Sequence, residues 1–198
     1  MAFVHLHNHS EYSSLDGITH VKDMVARAAE LGMPAIALTD HGVMGGCVEL
    51  CDECAAIEKK TGKKVKPIYG CEIYMVAEDE VKRSRSQKRY HLILLAKTTQ
   101  GYHNLLKLVS ESHVENFYAK PLCTQAMLEK YAEGLICSSA CMAGIIPKCL
   151  DEGDFEGACE WAKKLASYFE PGDFYIELQD AGYTTNRGHS QRWLNEQL

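Results

Sequence analysis

The sequence lacks any apolar run approaching the roughly 20 residues that a membrane-crossing helix needs. It also lacks a basic then apolar start, because Met1-Ala2-Phe3-Val4-His5 carries neither part of a secretory leader. These two absences predict a cytoplasmic protein with no membrane partner. Positive charge is not in excess: 21 Lys and Arg stand against 27 Asp and Glu, a net charge of −6. A free-standing nucleic-acid binder carries the opposite balance, although bound cations can reverse the local charge around a phosphate. No internal repeat and no linker-like stretch divides the chain. The 198 residues therefore predict one domain spanning 1–198, large enough to bury about 70% of its unfolded surface without disulfides. A hydrophobic fraction of 46% and a charged fraction of 24% exclude a disordered or fibrous chain.

Cysteine is plentiful, but its nine positions are odd in number and scattered, which reads as reduced thiols. Cys51 and Cys54 form a CxxC with no second CxxC to complete a four-cysteine zinc site. With Cys47 they fall at i, i+4 and i+7, the spacing of a small apolar helix face.

Strand and helix patterns alternate along the chain. Residues 3–7 alternate as a strand. Thr19 is placed to cap a helix with Val21, Met24, Val25, Ala28 and Leu31 inward, ended by Gly32 and Pro34. Residues 35–38 form a buried strand, and 46–60 a helix stopped by Gly62. Strands follow at 66–74 and 91–96, then a helix face of Tyr102, Leu105, Leu106 and Val109. A strand at 134–137 precedes a helix capped by Asp154, with Ala158, Trp161, Ala162, Leu165 and Phe169 inward. Residues 174–178 read as a strand, and Trp193-Leu194 as a last helix. This alternation predicts an α/β fold on a parallel sheet, open or closed into a barrel. The polar, basic stretch 78–88 reads as a mobile surface loop.

The residues with chemistry gather at predicted strand ends, where ligands collect in α/β proteins. His7 and His9 follow the first strand and, two apart, share a face. Asp16 lies in the next loop. The second strand ends in Thr39-Asp40-His41-Gly42 and the third in Gly70-Cys71-Glu72; the fourth opens with His91, and Cys141 follows the fifth. Imidazole, carboxylate and thiolate are zinc ligands, and mixed nitrogen and oxygen sets also take manganese or iron. Each residue alone has an ordinary structural explanation; their agreement across five strands does not.

These motifs resemble those of the polymerase and histidinol phosphatase (PHP) family. The resemblance rests on residues 3–17, on Ala37-Leu38-Thr39-Asp40-His41-Gly42, Tyr69-Gly70-Cys71-Glu72 and His91-Leu92-Ile93-Leu94-Leu95-Ala96-Lys97. Gly101-Tyr102-His103-Asn104-Leu105, Phe117-Tyr118-Ala119-Lys120-Pro121, Ser138-Ser139-Ala140-Cys141 and Tyr175-Ile176-Glu177-Leu178-Gln179 extend it along the whole chain. It is strongest toward members carried by bacterial replicative DNA polymerases. It implies a distorted (β/α)7 barrel of PHP type, with the C-terminal strand or strands missing from this chain, and a centre of up to three ions of zinc, manganese or iron. His7, His9 and Glu72 would hold one ion; Glu72 would bridge to a second shared with His91 and Cys141; Asp16 and His41 would hold a third. Cysteine at position 141 matches the polymerase type, where other members carry histidine. The family's final Asp-x-His pair is not found before Leu198, and Leu122 stands where a basic residue is expected.

Behind the ligands, His5, Tyr12 and Asp40 are expected to orient them. The implied reaction is metal-dependent phosphodiester hydrolysis, a 3′–5′ exonuclease with a proofreading role inside a DNA polymerase. The implied partners are DNA, the remaining polymerase domains and the holoenzyme subunits. Two further readings are a metal-stabilised scaffold of the polymerase without activity of its own, and a stand-alone histidinol-phosphatase-like phosphoesterase.

Overall fold

The computed structural model describes residues 3–14, 16–78 and 80–198; Met1, Ala2, Leu15 of the first motif and Asp79 of the 78–88 stretch lie outside the described residues. Helix α1 (Val21–Glu30) is followed by β1 (Ala35–Leu38), α2 (Cys47–Thr61), β2 (Lys66–Met75) and β3 (Tyr90–Ala96). Then come α3 (Thr99–Val114), β4 (Phe117–Tyr118), β5 (Lys120–Cys123), α4 (Gln125–Tyr131) and β6 (Leu135–Ser138). The chain continues through α5 (Ile145–Asp151), α6 (Phe155–Tyr168), β7 (Phe174–Tyr175) and α7 (Gln191–Gln197).

The strands form one seven-stranded sheet in the order β4-β5-β2-β3-β6-β7, with β1 joining β2 from the side. The sheet does not close, as in a distorted barrel. Pairs β1–β2, β2–β5 and β6–β7 are parallel, as expected, but β3 runs antiparallel to both β2 and β6. That reversal explains how His91, at the start of its strand, reaches the same end of the sheet as Glu72.

Alternation along the strands separates two faces. Cys71, Ile73, Met75, Leu92, Leu94, Leu135 and Cys137 face the main core, where Leu105, Leu108, Leu128, Ile146 and Leu165 of the helices cover them. Ile93, Leu95 and Ala37 lie on the other face, with Ile68 and Ile136 against them. A smaller core joins α1, α2 and β1 through Val25, Leu38 and Leu50. The open edge leaves an apolar cleft of about 1160 Å³ between residues 3–7 and residues 175–181.

Several expectations are corrected. Residues 3–7 are not a strand. Their backbone-to-backbone bonds toward β1 are Ala37 N donating to His5 O (3.1 Å) and, just past the strand, Thr39 N donating to Asn8 O (2.9 Å), a spacing of two residues against three. The Asn8 amide also donates to His5 O and Ala37 O, competing for the acceptors a regular ladder needs. His20, not Thr19, is the N-cap of α1; the Glu11 carboxylate accepts from Val21 N at 3.3 Å, and Leu31 lies exposed past the helix end. Cys47 and Cys54 are buried, but Cys51 is exposed. The strand expected over 174–178 stops at Tyr175, because Glu177 N turns to donate to Ser139 Oγ (2.9 Å) instead of continuing the ladder. Leu122 lies fully buried within β5. The 78–88 stretch is tethered from within: buried Gln87 accepts from Lys82 N (2.7 Å) and donates to Glu78 (2.9 Å). The helix caps of Asp154 and Gly62 are where the sequence puts them. Among the described residues, no helix is long and apolar enough to cross a membrane.

Candidate metal centre

Glu72 is the pivot of the site. It lies in β2, and its carboxyl group is 1% exposed. Its Oε2 lies 3.1 Å from His7 Nε2, 2.9 Å from His9 Nε2 and 3.3 Å from His41 Nδ1; its Oε1 lies 2.7 Å from His91 Nδ1. Asp16 Oδ2 is 2.6 Å from His41 Nε2. Cys141 Sγ is 3.5 Å from His91 Nδ1 and 3.7 Å from Glu72 Oε1. All seven candidate ligands are thus in one cluster. Three groups place donor atoms close enough to share an ion: His7, His9 and Glu72; His9, Asp16 and His41; His41, Glu72 and His91. The grouping departs from the expected partition: His9 and His41 each fall in two groups, His41 takes the place expected of Cys141 beside Glu72 and His91, and Cys141 falls in none of the three.

Local backbone chemistry explains why these side chains meet. The Asp40 carboxylate is buried and accepts from Ser10 N (2.6 Å), Ser10 Oγ (2.9 Å) and Ser13 Oγ (3.0 Å), folding the 10–17 loop over the strand end. Ser13 Oγ in turn accepts from His41 N (2.9 Å). Gly17 closes that loop where a Cβ would stand 1.8 Å from Ser10 O, so no other residue fits unchanged. Beyond β1, Glu72 N donates to Asp40 O and Gly42 N to Glu72 O, which extends the parallel register to His41. Gly42 has φ +65°, and its missing Cβ makes room for Pro121. On the far side, His91 N donates to Ala143 O (3.0 Å), which fixes the loop bearing Cys141 beside β3.

Of the three residues expected to orient the ligands, Asp40 acts through the loop just described. Among the described residues, His5 and Tyr12 make their side-chain contacts away from the cluster. His5 is exposed and packs edge-on against Phe3, and the Tyr12 hydroxyl donates to Glu49. Two residues were missed. Tyr74 stacks on His41 (ring centroids 5.5 Å apart), which itself stacks on His9 (4.3 Å). Strand alternation carries the signal for it, since Tyr74 is two residues from Glu72 and shares its face. Glu177 Oε1 accepts from His7 Nδ1 at 2.7 Å. No spacing rule gives Glu177 a role; the sequence signals it only as an acidic residue between Ile176 and Leu178 in the Tyr175-Ile176-Glu177-Leu178-Gln179 motif of the resemblance.

The electrostatics favour a cation in the centre. Burial works against ionised Glu72, but hydrogen bonds from His7, His9 and His91 hold its carboxyl well below the usual carboxylate range. Burial likewise opposes a charged His7, yet Glu177 and Glu72 lift its pKa to about 9. Burial lowers the His41 pKa against the pull of Glu72, which leaves its imidazole lone pair free. Burial, with the Glu72 charge, pushes the Cys141 thiol up to about 12, so only a cation would make it a thiolate near neutrality. His9 Nδ1 and His41 Nδ1 are buried with no hydrogen-bond partner among the described residues. With Nδ1 of His7 bonded to an ionised carboxylate, a neutral His7 would turn its lone pair toward Glu72 Oε2, acceptor against acceptor, unless a proton or metal ion sits between. The donor set of imidazoles, carboxylates and one thiol fits zinc, manganese or iron.

Comparison with known proteins identifies the family of this chain. The family model described as "PHP domain" matches residues 5–181. DNA polymerase III subunit alpha of Treponema pallidum is 42% identical over 92% of this chain, and that of Borreliella burgdorferi 44% over 91%. The chain spans 15% of the length of each of these relatives. Among solved structures, a candidate metal-dependent phosphoesterase from Bifidobacterium adolescentis aligns over 86% of this chain and 59% of its own, with 18% identity and a TM-score of 0.39.

Proposed function

Because this chain belongs to the PHP domain family, we propose that it is the PHP domain of a DNA polymerase III alpha subunit and carries a multinuclear metal centre for phosphodiester hydrolysis. The alpha-subunit relatives support the first half of that reading. The observation that carries the second is Glu72, one buried carboxylate facing His7, His9, His41 and His91 within 3.3 Å. The activity we assign is 3′–5′ trimming of DNA, a proofreading step for the polymerase of which this domain would be part. Its partners would then be DNA, the other polymerase domains and the holoenzyme subunits, in the cytoplasm.

His7, His9 and Glu72 would hold one ion, Glu72, His91 and Cys141 a second, and Asp16 with His41 a third. Ions held there would act as Lewis acids, polarising a phosphoryl oxygen and lowering the pKa of water. The chain itself contributes a carboxylate that stays ionised although buried, an imidazole at His41 that stays unprotonated, and a loop locked by Asp40. Asp16, at 46% side-chain exposure, forms the solvent side of the cluster.

The test is release of nucleotides from a 3′-labelled single-stranded oligonucleotide with zinc or manganese present. Release should stop with chelator and in Glu72→Gln and His41→Ala. Rates unchanged in those variants would overturn the assignment. A second reading, a metal-stabilised scaffold, is favoured by one observation: residues 3–9 carry two candidate ligands yet have only sparse backbone bonds to β1. Chelation would then lower the melting temperature of a protein that hydrolyses nothing.

A further inference from the structure

Glu177 lies outside the ligand set assigned above, yet four groups hold it in place. Its backbone N–H donates to Ser139 Oγ at 2.9 Å, and Ser139 is buried. Ser138 Oγ donates to its Oε2, and Gln179 Nε2 donates to its Oε1 at 2.7 Å. The remaining contact is His7 Nδ1, at 2.7 Å from Oε1. Gln179 Nε2 also lies 3.3 Å from His7 Nδ1, but both are donors once the imidazole proton is on Nδ1. A carboxylate only accepts, so this contact fixes that proton on Nδ1 and leaves Nε2 for the centre, where it already faces Glu72 at 3.1 Å.

We infer that Glu177 is the positioning residue of the metal centre: it sets the tautomer and ring orientation of His7, so that Nε2 is presented as a ligand atom. The inference rests on the proposed metal centre. It adds a functional role for the segment after β7, which otherwise lines the open cleft. Ser138 and Ser139, at the end of β6, serve as the anchor that transmits the sheet's position to His7. Partners of this kind raise ligand basicity, and their loss costs about 10- to 100-fold in metal affinity.

The experiment measures zinc affinity by competition with a chromophoric chelator, and the His7 tautomer by side-chain ¹⁵N NMR of the zinc-loaded protein, where the ring carries one proton. Glu177→Ala should weaken zinc binding by about 10- to 100-fold and shift His7 toward a mixture of tautomers. Glu177→Gln keeps an accepting oxygen and should recover most of both losses, which separates positioning from misfolding. In a His7→Ala background, Glu177→Ala should change nothing further. Zinc affinity and His7 tautomer unchanged in Glu177→Ala would overturn the inference while leaving the metal centre intact. An undiminished effect in the His7→Ala background would overturn it as well, by making Glu177 a ligand in its own right. Failure of the wild-type protein to bind zinc or manganese would overturn the metal centre, and this inference with it.

Discussion

Glu177 and His7 lie 170 residues apart in sequence and 2.7 Å apart in the fold. The contact joins the two sides of the open cleft, the segment before β1 and the segment after β7. Neither segment is held by a regular ladder, so side-chain chemistry fixes their spacing. The position of His7 is thereby coupled to the spacing of these two segments.

Metal removal should loosen the first segment before anything else. Residues 3–9 are joined to β1 and Thr39 by two backbone bonds, the Asn8 amide and the Thr39 hydroxyl, while His7 and His9 reach into the cluster. Chelating the zinc-loaded protein should lower its melting temperature and speed amide exchange at residues 5–9, with β2 and β3 still protected. Equal protection with and without metal would mean that no ion bridges this segment.

Asp40→Ala should destabilise the fold by about 2–4 kcal/mol, because it strips a buried, charged acceptor from three donors at once. Ser10 N, Ser10 Oγ and Ser13 Oγ would be left without it. Urea unfolding measures the loss. Zinc content should fall too, since the same loop carries Asp16 toward His41. A variant with wild-type stability would show that the loop is held by other means.

Much of the cluster was legible from sequence because residues able to bind metal stand out as short, strand-terminal patterns. His7-x-His9, Asp40-His41 and the isolated Glu72 each stand out against apolar runs, and all seven candidate ligands meet. The direction of β3 was not legible, since a strand of Leu92, Ile93, Leu94 and Leu95 packs equally well either way up. Pairing with both β2 and β6 decides it. The segment at 3–7 alternates like a strand, but a register of two residues against three and the competing Asn8 amide break the ladder. His5 and Tyr12 failed because proximity in sequence to a ligand says nothing about where a side chain turns. The contact of Glu177 with His7 was unreadable for the opposite reason, although the residue stands in a motif of the resemblance: its partner is at the far end of the chain.

Gly17→Ala should cost about 1–3 kcal/mol, the usual range for forcing volume into a filled site. A Cβ there would overlap Ser10 O at 1.8 Å, and the obstacle is backbone, which cannot rotate away. The 10–17 loop would open, and Asp16 would leave His41. Thermal unfolding and zinc affinity should fall together; a fall in neither would show that the loop can relax around the methyl group.

Acid should release helix α7. Its flank is held by Asp151, which accepts from Thr185 Oγ1 at 2.7 Å and from His189 Nδ1 at 2.9 Å, while the His189 ring stacks on Trp193. Burial alone would raise the Asp151 carboxyl, but the bonds from Thr185 and His189 bring it below its ordinary value. A carboxyl with a lowered folded pKa stabilises the protein above its unfolded value of about 3.9. That contribution is lost as pH falls through the folded value. Unfolding free energy measured from pH 6 to pH 2.5 should therefore drop at the acid end, and Asp151→Asn should flatten part of the drop. Identical pH profiles would remove Asp151 from the account.

Glu72→Gln is the sharpest test of the centre, because it changes charge with little change in shape. The carboxylate offers two accepting oxygens to four imidazoles; the amide offers one, and turns an N–H₂ toward the others. His7 then loses one of the two carboxylates that lift its pKa to about 9. In the zinc-free protein, the unfolding free energy should fall by about 1–3 kcal/mol, the cost of an imperfectly satisfied buried group. In the presence of zinc the loss should be larger, since the only buried anion among the ligands is gone. Zinc affinity should fall by more than the roughly 100-fold that removal of an outer partner costs, and bound zinc by elemental analysis should fall with it. Wild-type zinc content in this variant would show that the imidazoles bind without Glu72, and the centre would have to be rebuilt around the four imidazoles with Asp16 as their carboxylate.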